Sequence, residues 1–266
     1  MFSSPKIMGI LNVTPDSFFD GGRYFSLEKA LSQAQQMIDQ GADVIDVGGE
    51  STRPGATPVS VDQECARVIP IIEHLSKGPI PISIDTMHAE VMKAALSAGA
   101  SMVNDVNGFQ EKGALETVAA FKAKVCIMHM QNEPQTMQAH PTYRNIIQEI
   151  ITFFESRLAA CEKAGILKEN IYLDPGFGFG KNLAHNLTLL GQLSTFKKLG
   201  CPLLVGLSRK SMFGQILNVP VEERLSGSIA AAVLAMLQGA DMIRTHDVAE
   251  TKKAVQVVQA VQPYWQ

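Results

Sequence analysis

Short apolar runs rich in β-branched residues alternate with amphipathic stretches along the whole chain. The runs are almost uniformly apolar, which is typical of strands that are covered on both faces. Strand-like and helix-like stretches in alternation indicate repeated βαβ units. The runs predict eight strands, at Ile7–Leu11, Val44–Val47, Ile82–Asp85, Met102–Asp105, Val125–Met128, Ile171–Asp174, Leu203–Gly206 and Met242–Arg244.

The stretches between these runs have the apolar period of helices. The sequence SVDQ at 60–63 has the form of a capping box and predicts the start of a helix, which Pro70 should kink or shorten. Long helical periods follow at 144–164 and 183–199. The run at 226–239 is apolar on all sides, so we expect it in the core or in a contact between subunits.

One junction occurs three times. The segments GADVID, GASMVN and GADMIR each place glycine at a helix end, then a two-residue link, then a strand. Their sixth residues are Asp46, Asn104 and Arg244, which should therefore occupy equivalent places on three strands. A repeated helix-to-strand junction is what a closed parallel barrel would show.

The chain length fits this architecture. A (β/α)₈ barrel typically takes ~250 residues, and the chain has 266, of which 46% are hydrophobic and 18% charged. No linker or change of composition divides it. The sequence therefore predicts an α/β protein with one domain over 1–266, a (β/α)₈ TIM barrel whose active site lies at the C-terminal end of the strands.

Charge and cysteine content exclude several classes of protein. A formal net charge of −3 argues against a nucleic-acid binder or a membrane-surface protein. The four cysteines form no C-x-x-C pair and have no partner histidine at the spacing of a zinc site. They are interpreted as buried free thiols: Cys65, Cys126, Cys161 and Cys201. The N-terminus has no signal-peptide core, and the longest apolar run is far shorter than a membrane span. We therefore expect a soluble, cytoplasmic protein.

Every predicted strand has a polar or ionisable residue at or just after its C-terminal end. A single aspartate there is most often a helix cap or a turn residue. Eight strands with polar residues at the same end are better explained by the convergent loops of a barrel active site. The residues concerned are Asn12, Thr14, Asp16, Glu50, Ser51, Thr52, Arg53, Asp85, Thr86, Asn104, Asp105, His129, Asp174, Ser208, Lys210, Arg244 and His246.

These residues divide by chemistry into two groups. The first group consists of cations and hydrogen-bond donors, which suit a diphosphate. Asn12 would either join this group or hold Mg²⁺, which usually keeps one or two protein ligands plus water. Acceptors would be costly to bury alone and suit a flat heterocycle with several N–H donors. The first group contains Arg53, Lys210, Arg244 and His246, and the second contains Asp85, Asn104 and Asp174.

Other motifs are weaker. GFGFGK at 176–181 lacks the Walker A spacing, and its glycines are interpreted as letting the backbone pass close to a flat ligand. The signatures of common hydrolases and zinc proteases are missing from the sequence. Four histidines in helical or loop stretches are interpreted as surface residues: His74, His88, His140 and His185.

Taken in order, the motifs resemble the dihydropteroate synthase family, pterin-binding enzymes of folate biosynthesis. The resemblance extends over essentially the whole chain. Phe19 stands where the family commonly has serine, so the family's loop dynamics are not carried over to the first loop, whereas its chemistry is. The matching segments are GILNVTPDSFFDGG, GGESTRPGA, SIDT, NDV, LDPGFGFGK, GLSRKSM and RTHDV.

The resemblance implies specific site residues. The pterin would be held by Asp85, Asn104, Asp174 and Lys210, with Met128 and Gly206 packed against its ring. The diphosphate would be held, with Mg²⁺, by Asn12, Arg244 and His246, and Asn12 is the residue expected to bind the metal. The p-aminobenzoate site, which sulfonamides mimic, would be formed by Thr52, Arg53, Pro54, Phe179, Lys210 and Ser211.

The implied reaction joins 6-hydroxymethyl-7,8-dihydropterin diphosphate to p-aminobenzoate and releases pyrophosphate. An S_N1-like displacement fits these residues, because acceptors along the ring favour a pterinyl cation while cations and Mg²⁺ stabilise the leaving oxygens. The first two loops are expected to act as lids that exclude water.

Two other functions stay open. A methyltetrahydrofolate corrinoid methyltransferase uses a similar barrel, but has no use for a diphosphate subsite or for STRPGA. A non-catalytic paralogue would bind pterin without turnover. The family also suggests a homodimer with small-molecule substrates as its only other partners.

Overall fold

The computed structural model describes residues 4–13, 22–51, 58–133 and 136–265, with the backbone alone for 22–26. Within this part, each predicted strand is present with its bounds confirmed to within one residue at each end. The strands are β1 Lys6–Asn12, β2 Val44–Gly48, β3 Ile82–Asp85, β4 Met102–Asp105, β5 Lys124–Met128, β6 Ile171–Asp174, β7 Leu204–Gly206 and β8 Met242–Thr245.

The strands form one parallel sheet that closes on itself. Their order is β6-β5-β4-β3-β2-β1-β8-β7, so β1 pairs with both β2 and β8. A bridge between Leu173 of β6 and Leu203, the residue before β7, joins the two ends of the sheet. The Leu173 N–H also donates to the Pro202 carbonyl at 2.9 Å. The sheet is therefore a barrel.

Helices connect successive strands and surround the barrel. The predicted single-domain (β/α)₈ TIM barrel is thus confirmed. In the described part of the chain the α-helices are α1 Gly22–Asp39, α2 Val61–Leu75, α3 Ala89–Ser97, α4 Ala114–Ala120, α5 Ile146–Lys163, α6 Leu183–Gly191, α7 Ser211–Leu217, α8 Leu225–Leu237 and α9 Val248–Val261.

Helix α2 begins as predicted but is not shortened by its proline. The Gln63 N–H donates to Ser60 Oγ at 3.3 Å, and the Ser60 N–H donates to Gln63 Oε1 at 3.2 Å, which completes the capping box. The helix then continues past Pro70 to Leu75, so the predicted shortening is wrong. Pro70 and Ala66 are both exposed, so water can bond the carbonyl that proline leaves without a donor.

Two other helical predictions are refined. The period at 183–199 is not one α-helix, because α6 ends at Gly191 and a 3₁₀-helix follows at Leu193–Leu199. Helix α8 buries Ala232 and Met236, as an apolar helix should, but Leu234 is 50% exposed. One face of α8 therefore stays uncovered in the single chain.

The barrel interior is built in layers from alternate strand residues, which point to the same side of a strand. The lower layer is an apolar cluster of its own, separate from the larger core between strands and helices. It consists of Met8, Val44, Met102, Cys126, Tyr172, Leu204 and Met242. Two residues further along the strands come Ile10, Asp46, Asn104, Met128, Asp174, Gly206 and Arg244, which form the upper layer together with Asp85 of β3, the partner of Arg244.

The cysteines are free thiols, as predicted. Three are buried and Cys65 is half-buried. Burial raises the pKa of the Cys161 thiol to about 11, which keeps it neutral. Among the described residues, no helix combines the length and the apolar character that a bilayer span requires.

Candidate active site

The three equivalent positions of the repeated junction meet inside the barrel. Asp46 Oδ2 accepts a hydrogen bond from Asn104 Nδ2 at 3.1 Å and one from Arg244 Nε at 2.6 Å. Asp46 is fully buried, and its Oδ1 has no hydrogen-bond partner in the described structure. The sequence predicted the equivalence of these positions but gave no role in the site to Asp46, which holds the other two in place.

Arg244 also reaches the end of β3. Its Nη2 lies 2.5 Å from Asp85 Oδ2, so one guanidinium spans two carboxylates. Gly48 leaves room beside this pair. A Cβ there would lie 3.7 Å from Asn12 Oδ1 and 3.8 Å from Asp85 Oδ2. Asn12 and Asp85 therefore border the same small space at the strand ends.

Asp174 completes the acceptor group from the other side of the barrel. It is buried at the end of β6, next to its register partner Met128 on β5, and its Oδ1 accepts the Gly176 N–H at 2.8 Å. A Cβ at Gly206 would lie 4.0 Å from both Asp174 Oδ2 and Arg244 Cδ. The glycine thus leaves an open floor between Asp174 and the arginine, on which a flat ring can lie.

Burial governs the charges in this group. It raises the pKa of Asp85 to about 7, although Arg244 opposes the shift. It also raises the pKa of Asp174, against the hydrogen bond from Gly176. For Arg244 burial disfavours the cation, but Asp46 and Asp85 together raise its pKa. A ligand that brings N–H donors would relieve these buried acceptors, so the group is a strong candidate binding site.

Lys210 lies between the acceptors and an aromatic ring. Its Nζ is 4.3 Å from the centroid of the Phe179 ring, a cation–π contact. Its charge lowers the pKa of both Asp85 and Asp174 and so opposes the increase that burial causes. Lys210 and Phe179 thus form one wall of the space above the carboxylates.

A cavity of about 210 Å³ lies beside this wall. Ser211, the exposed first residue of α7, is part of its lining, but none of the barrel carboxylates is. The cavity is therefore a neighbour of the acceptor group and not the space above it. Its polar lining includes Gln138, Lys181, Asn182, Asn186 and Gln215.

His246 is oriented by a serine from the loop after β7. Ser208 Oγ lies 3.0 Å from His246 Nδ1 and accepts the His246 backbone N–H at 3.2 Å. When Ser208 donates its hydroxyl hydrogen to Nδ1, the imidazole Nε2 carries its own hydrogen and is a donor. Ser208 thereby leaves Nε2 as the hydrogen-bond donor of the His246 ring.

A buried pair beside the site, Lys181 and His129, was not predicted from the sequence. Lys181 Nζ lies 3.1 Å from His129 Nδ1 and donates to the Phe179 carbonyl at 2.9 Å. Burial lowers the pKa of Lys181 to about 7 and that of His129 to about 3. The pair fixes the loop that carries Phe179. The position of Lys181 directly after the glycine-rich loop was the only available signal.

The glycines of GFGFGK have a different purpose from the predicted one. All three have positive φ. A Cβ at Gly176 would lie 1.9 Å from the His129 carbonyl oxygen, and one at Gly180 would lie 2.7 Å from that of Gln131. These two glycines are required by neighbouring backbone and not by a flat ligand, so that interpretation is wrong for them.

The structure brings most predicted site residues to one end of the barrel. Asn12, Asp85, Asn104, Asp174 and Arg244 converge on the space described above. The same end also carries Met128, Phe179, Gly206, Lys210, Ser211 and His246. Arg244 lies among the acceptors, so donors and acceptors interleave and do not form two separate patches. Thr52, Arg53 and Pro54 lie outside the described residues, as do the parts of the first two loops expected to act as lids.

Comparison with known proteins agrees with this geometry. A family model described as "Pterin binding enzyme" matches residues 8–246. The dihydropteroate synthase of Escherichia coli K12 is 54% identical over 97% of this chain and 92% of that protein.

Solved structures give the same result. A Yersinia pestis dihydropteroate synthase in a sulfonamide drug complex superposes with a TM-score of 0.93 at 50% identity, covering 98% of this chain and 95% of that one. A Xanthomonas albilineans dihydropteroate synthase with 4-aminobenzoic acid superposes with a TM-score of 0.91 at 46% identity, covering 97% of this chain and 93% of that one. Sequence and fold therefore match the same group of proteins.

Proposed function

This chain belongs to the dihydropteroate synthase family of pterin-binding enzymes, and from that premise we propose how its barrel carries out the synthase reaction. It is a transferase that condenses 6-hydroxymethyl-7,8-dihydropterin diphosphate with p-aminobenzoate to give 7,8-dihydropteroate and pyrophosphate. The observation that carries the residue assignment is the buried network of Asp46, Asp85, Asn104 and Arg244, with Asp174 beside it.

The pterin binds in the space above this network. Its amidine-like edge offers several N–H donors to Asp85, Asn104 and Asp174, whose oxygens are otherwise costly to bury. The open floor at Gly206 and the buried side chain of Met128 pack against the ring. Lys210 closes the ring's remaining edge.

The diphosphate binds next to the arginine. Arg244 is held between two carboxylates yet keeps its charge, and His246 is oriented by Ser208, so both present donors to phosphate oxygens. The interleaving of acceptors and cations brings the ring and its leaving group together within one site.

Mg²⁺ fits at Asn12. The amide oxygen borders the same space as Asp85 and has no hydrogen-bond partner among the described residues, and Mg²⁺ takes one or two protein oxygens together with phosphate oxygens and water. When bound, the ion would neutralise charge on the departing diphosphate. Asn12 is the residue we propose as its protein ligand.

p-Aminobenzoate binds against the wall formed by Phe179 and Lys210, with Ser211 at the first residue of α7. The aromatic ring packs on Phe179, and the lysine presents its charge nearby. Lys181 and His129 keep the Phe179 loop in place. Thr52, Arg53 and Pro54 are proposed to complete this site.

The displacement follows from these positions. The bond between the pterin methylene and the diphosphate oxygen breaks, and the diphosphate leaves with the electron pair. The ring delocalises the positive charge that remains, and the buried carboxylates stabilise it. The aniline nitrogen then forms the new C–N bond with its lone pair and releases a proton. Positioning is more important than a strong base, because the nucleophile needs no prior deprotonation.

Pyrophosphate release tests this function. The chain should release pyrophosphate only when the dihydropterin diphosphate, p-aminobenzoate and Mg²⁺ are all present, and omission of any one should abolish release. Binding of the pterin diphosphate without pyrophosphate release would contradict the proposal and favour a non-catalytic paralogue. Methyl transfer from methyltetrahydrofolate to a corrinoid would favour the methyltransferase alternative.

Three further features are proposed with the function. One domain extends over 1–266, the protein acts in the cytoplasm, and it forms a homodimer without binding nucleic acid. Exposed apolar side chains on and before α8 are candidates for the dimer surface: Leu234, Ile216, Leu217 and Val221. Light scattering at several concentrations would test the dimer, and a mass of one chain at all of them would contradict it.

A further inference from the structure

Outside the barrel mouth, one cluster of potential metal ligands joins three consecutive segments of the chain. Glu50 follows β2, Glu64 lies on the buried face of α2, and His88 is the residue before α3. One ligand atom from each of the three lies within 4.8 Å of the other two. No other such group of three occurs in the part of the chain that the structure describes.

The cluster contains more negative charge than its surroundings balance. His88 Nε2 is 3.5 Å from Glu50 Oε2, and His88 Nδ1 is 3.7 Å from Glu111 Oε1. Neither Glu50 nor Glu64 has a lysine or arginine within 4.0 Å among the described residues. Three carboxylates therefore share one imidazole, which supplies at most one positive charge.

Glu64 provides a second and independent observation. Its side chain is completely buried and directed at Glu50 and His88, yet among the described residues neither carboxylate oxygen has a hydrogen-bond partner of normal geometry. An unpartnered buried carboxyl is costly, and a cation bound to it removes that cost.

The ligand types indicate the class of ion. Imidazole nitrogen suits Zn²⁺ and other late transition metals, whereas Mg²⁺ and Ca²⁺ prefer sites made entirely of oxygen. In a tetrahedral zinc site the ligand atoms are roughly 3.3 Å apart, since each is ~2.05 Å from the metal. The 3.5 Å between His88 Nε2 and Glu50 Oε2 is already close to that spacing.

We propose that Glu50, Glu64 and His88 form a Zn²⁺ site with water as the fourth ligand. The ion would link the stem of the loop after β2 to α2 and to the loop after β3. It is separate from the Mg²⁺ proposed at Asn12, because it uses different residues and needs no diphosphate.

Metal titration tests this proposal in the absence of both substrates, so its outcome does not depend on the proposed reaction. The chelator-treated full chain is titrated with Zn²⁺ by calorimetry, and bound zinc is measured after gel filtration. We expect one Zn²⁺ per chain, and excess Mg²⁺ should not displace it. Absence of stoichiometric zinc, or displacement by Mg²⁺, would overturn the proposal.

Matched variants locate the ion. His88→Gln and Glu64→Gln should each weaken zinc binding at least about tenfold. Mutation of a residue that only supports a metal ligand already lowers metal affinity roughly 10–100-fold, and loss of the ligand itself should cost more. His74→Gln, at an exposed histidine on the same helix as Glu64, and Asn12→Ala should bind zinc as the wild type does. His88 is half-buried, so its variant should fold even if the Glu64 variant does not. Unchanged zinc affinity in His88→Gln would refute the site.

Discussion

Two successive layers inside one barrel differ sharply in chemistry. Met242 and Arg244 are two residues apart on β8 and point to the same side, as do Tyr172 and Asp174 on β6. The lower layer is an apolar cluster that needs nothing further to be stable. The upper layer holds buried charges that are only partly matched within the chain. The same strands therefore provide a closed core below and a binding site above.

The comparison shows that the upper layer lowers the stability of the fold. Placing the buried Asp46 and Asp174 and the half-buried Asp85 near a single arginine is unfavourable relative to an apolar layer. A bound ligand would supply the missing hydrogen-bond donors. Substitutions in the upper layer should therefore affect binding and charge balance. Substitutions in the lower layer should affect packing alone.

The largest effect is expected from Arg244→Gln. It leaves the fully buried Asp46 and the half-buried Asp85 without their cation, which should lower the free energy of unfolding by about 3–5 kcal/mol. It should also weaken pyrophosphate binding. Denaturant unfolding and pyrophosphate calorimetry measure the two effects. Wild-type stability together with an unchanged pyrophosphate affinity would show that the arginine neither balances the layer nor binds the leaving group.

A smaller effect, on binding alone, is expected from Asp174→Asn. Loss of a charge-assisted hydrogen bond costs roughly 1.5–3 kcal/mol, or roughly 10- to 150-fold in pterin affinity. Unfolding should be little affected, because burial already disfavours the charge on Asp174. Tyr172→Phe, one layer down on the same strand, is the control and should bind pterin normally. Equal affinities in the two variants would remove Asp174 from the pterin site.

Lys181 is a second buried cation, but unlike Arg244 it has no carboxylate in direct contact among the described residues. Burial lowers the pKa of Lys181 from 10.5 to about 7. Between these values the unfolded chain binds one proton more than the folded one. The free energy of unfolding should therefore gain up to about 1.4 kcal/mol per pH unit as the pH rises from 7 towards 10.

Lys181→Met should remove this contribution to the slope of unfolding free energy against pH. Lys253→Met, at an exposed lysine, should leave the slope unchanged. Denaturant titrations at several pH values from 6 to 10 measure it. Below pH 7 both states of the wild type hold the proton, so Lys181 adds no slope there. An identical pH dependence in wild type and Lys181→Met would mean that the buried lysine keeps its ordinary pKa.

The smallest effect is expected from Met242→Leu in the lower layer. A swap of similar volume should cost less than about 1.5 kcal/mol in unfolding, and kcat/KM for pyrophosphate release should not change. A large loss of activity in this variant would break the comparison, because it would show that the apolar layer also participates in the chemistry.

The barrel could be predicted from the sequence because each strand is a short apolar run between helical periods. The repeated junction even predicted that Asp46, Asn104 and Arg244 are equivalent. Helix ends were harder to predict. The break after Gly191 and the continuation of α2 past Pro70 depend on which side chains face water, and a periodic pattern does not show that.

The site was predicted as a set of residues but not as a geometry. Every described candidate lies at the predicted end of the barrel. The ion pairs of Arg244 could not be predicted, because they depend on the distance between strands that are remote in sequence. The same is true of Lys181 with His129, where two loops meet. The glycines of that loop were misinterpreted because the backbone they accommodate comes from the strand-5 loop.

A crystal structure of the chain with bound 6-hydroxymethyl-7,8-dihydropterin diphosphate tests the central claim most directly. The account predicts the ring above the upper layer, with its N–H edge on Asp85, Asn104 and Asp174 and its phosphates on Arg244 and His246. A ring bound elsewhere, for example in the cavity beside Ser211, with the carboxylates contacting only each other and Arg244, would contradict it.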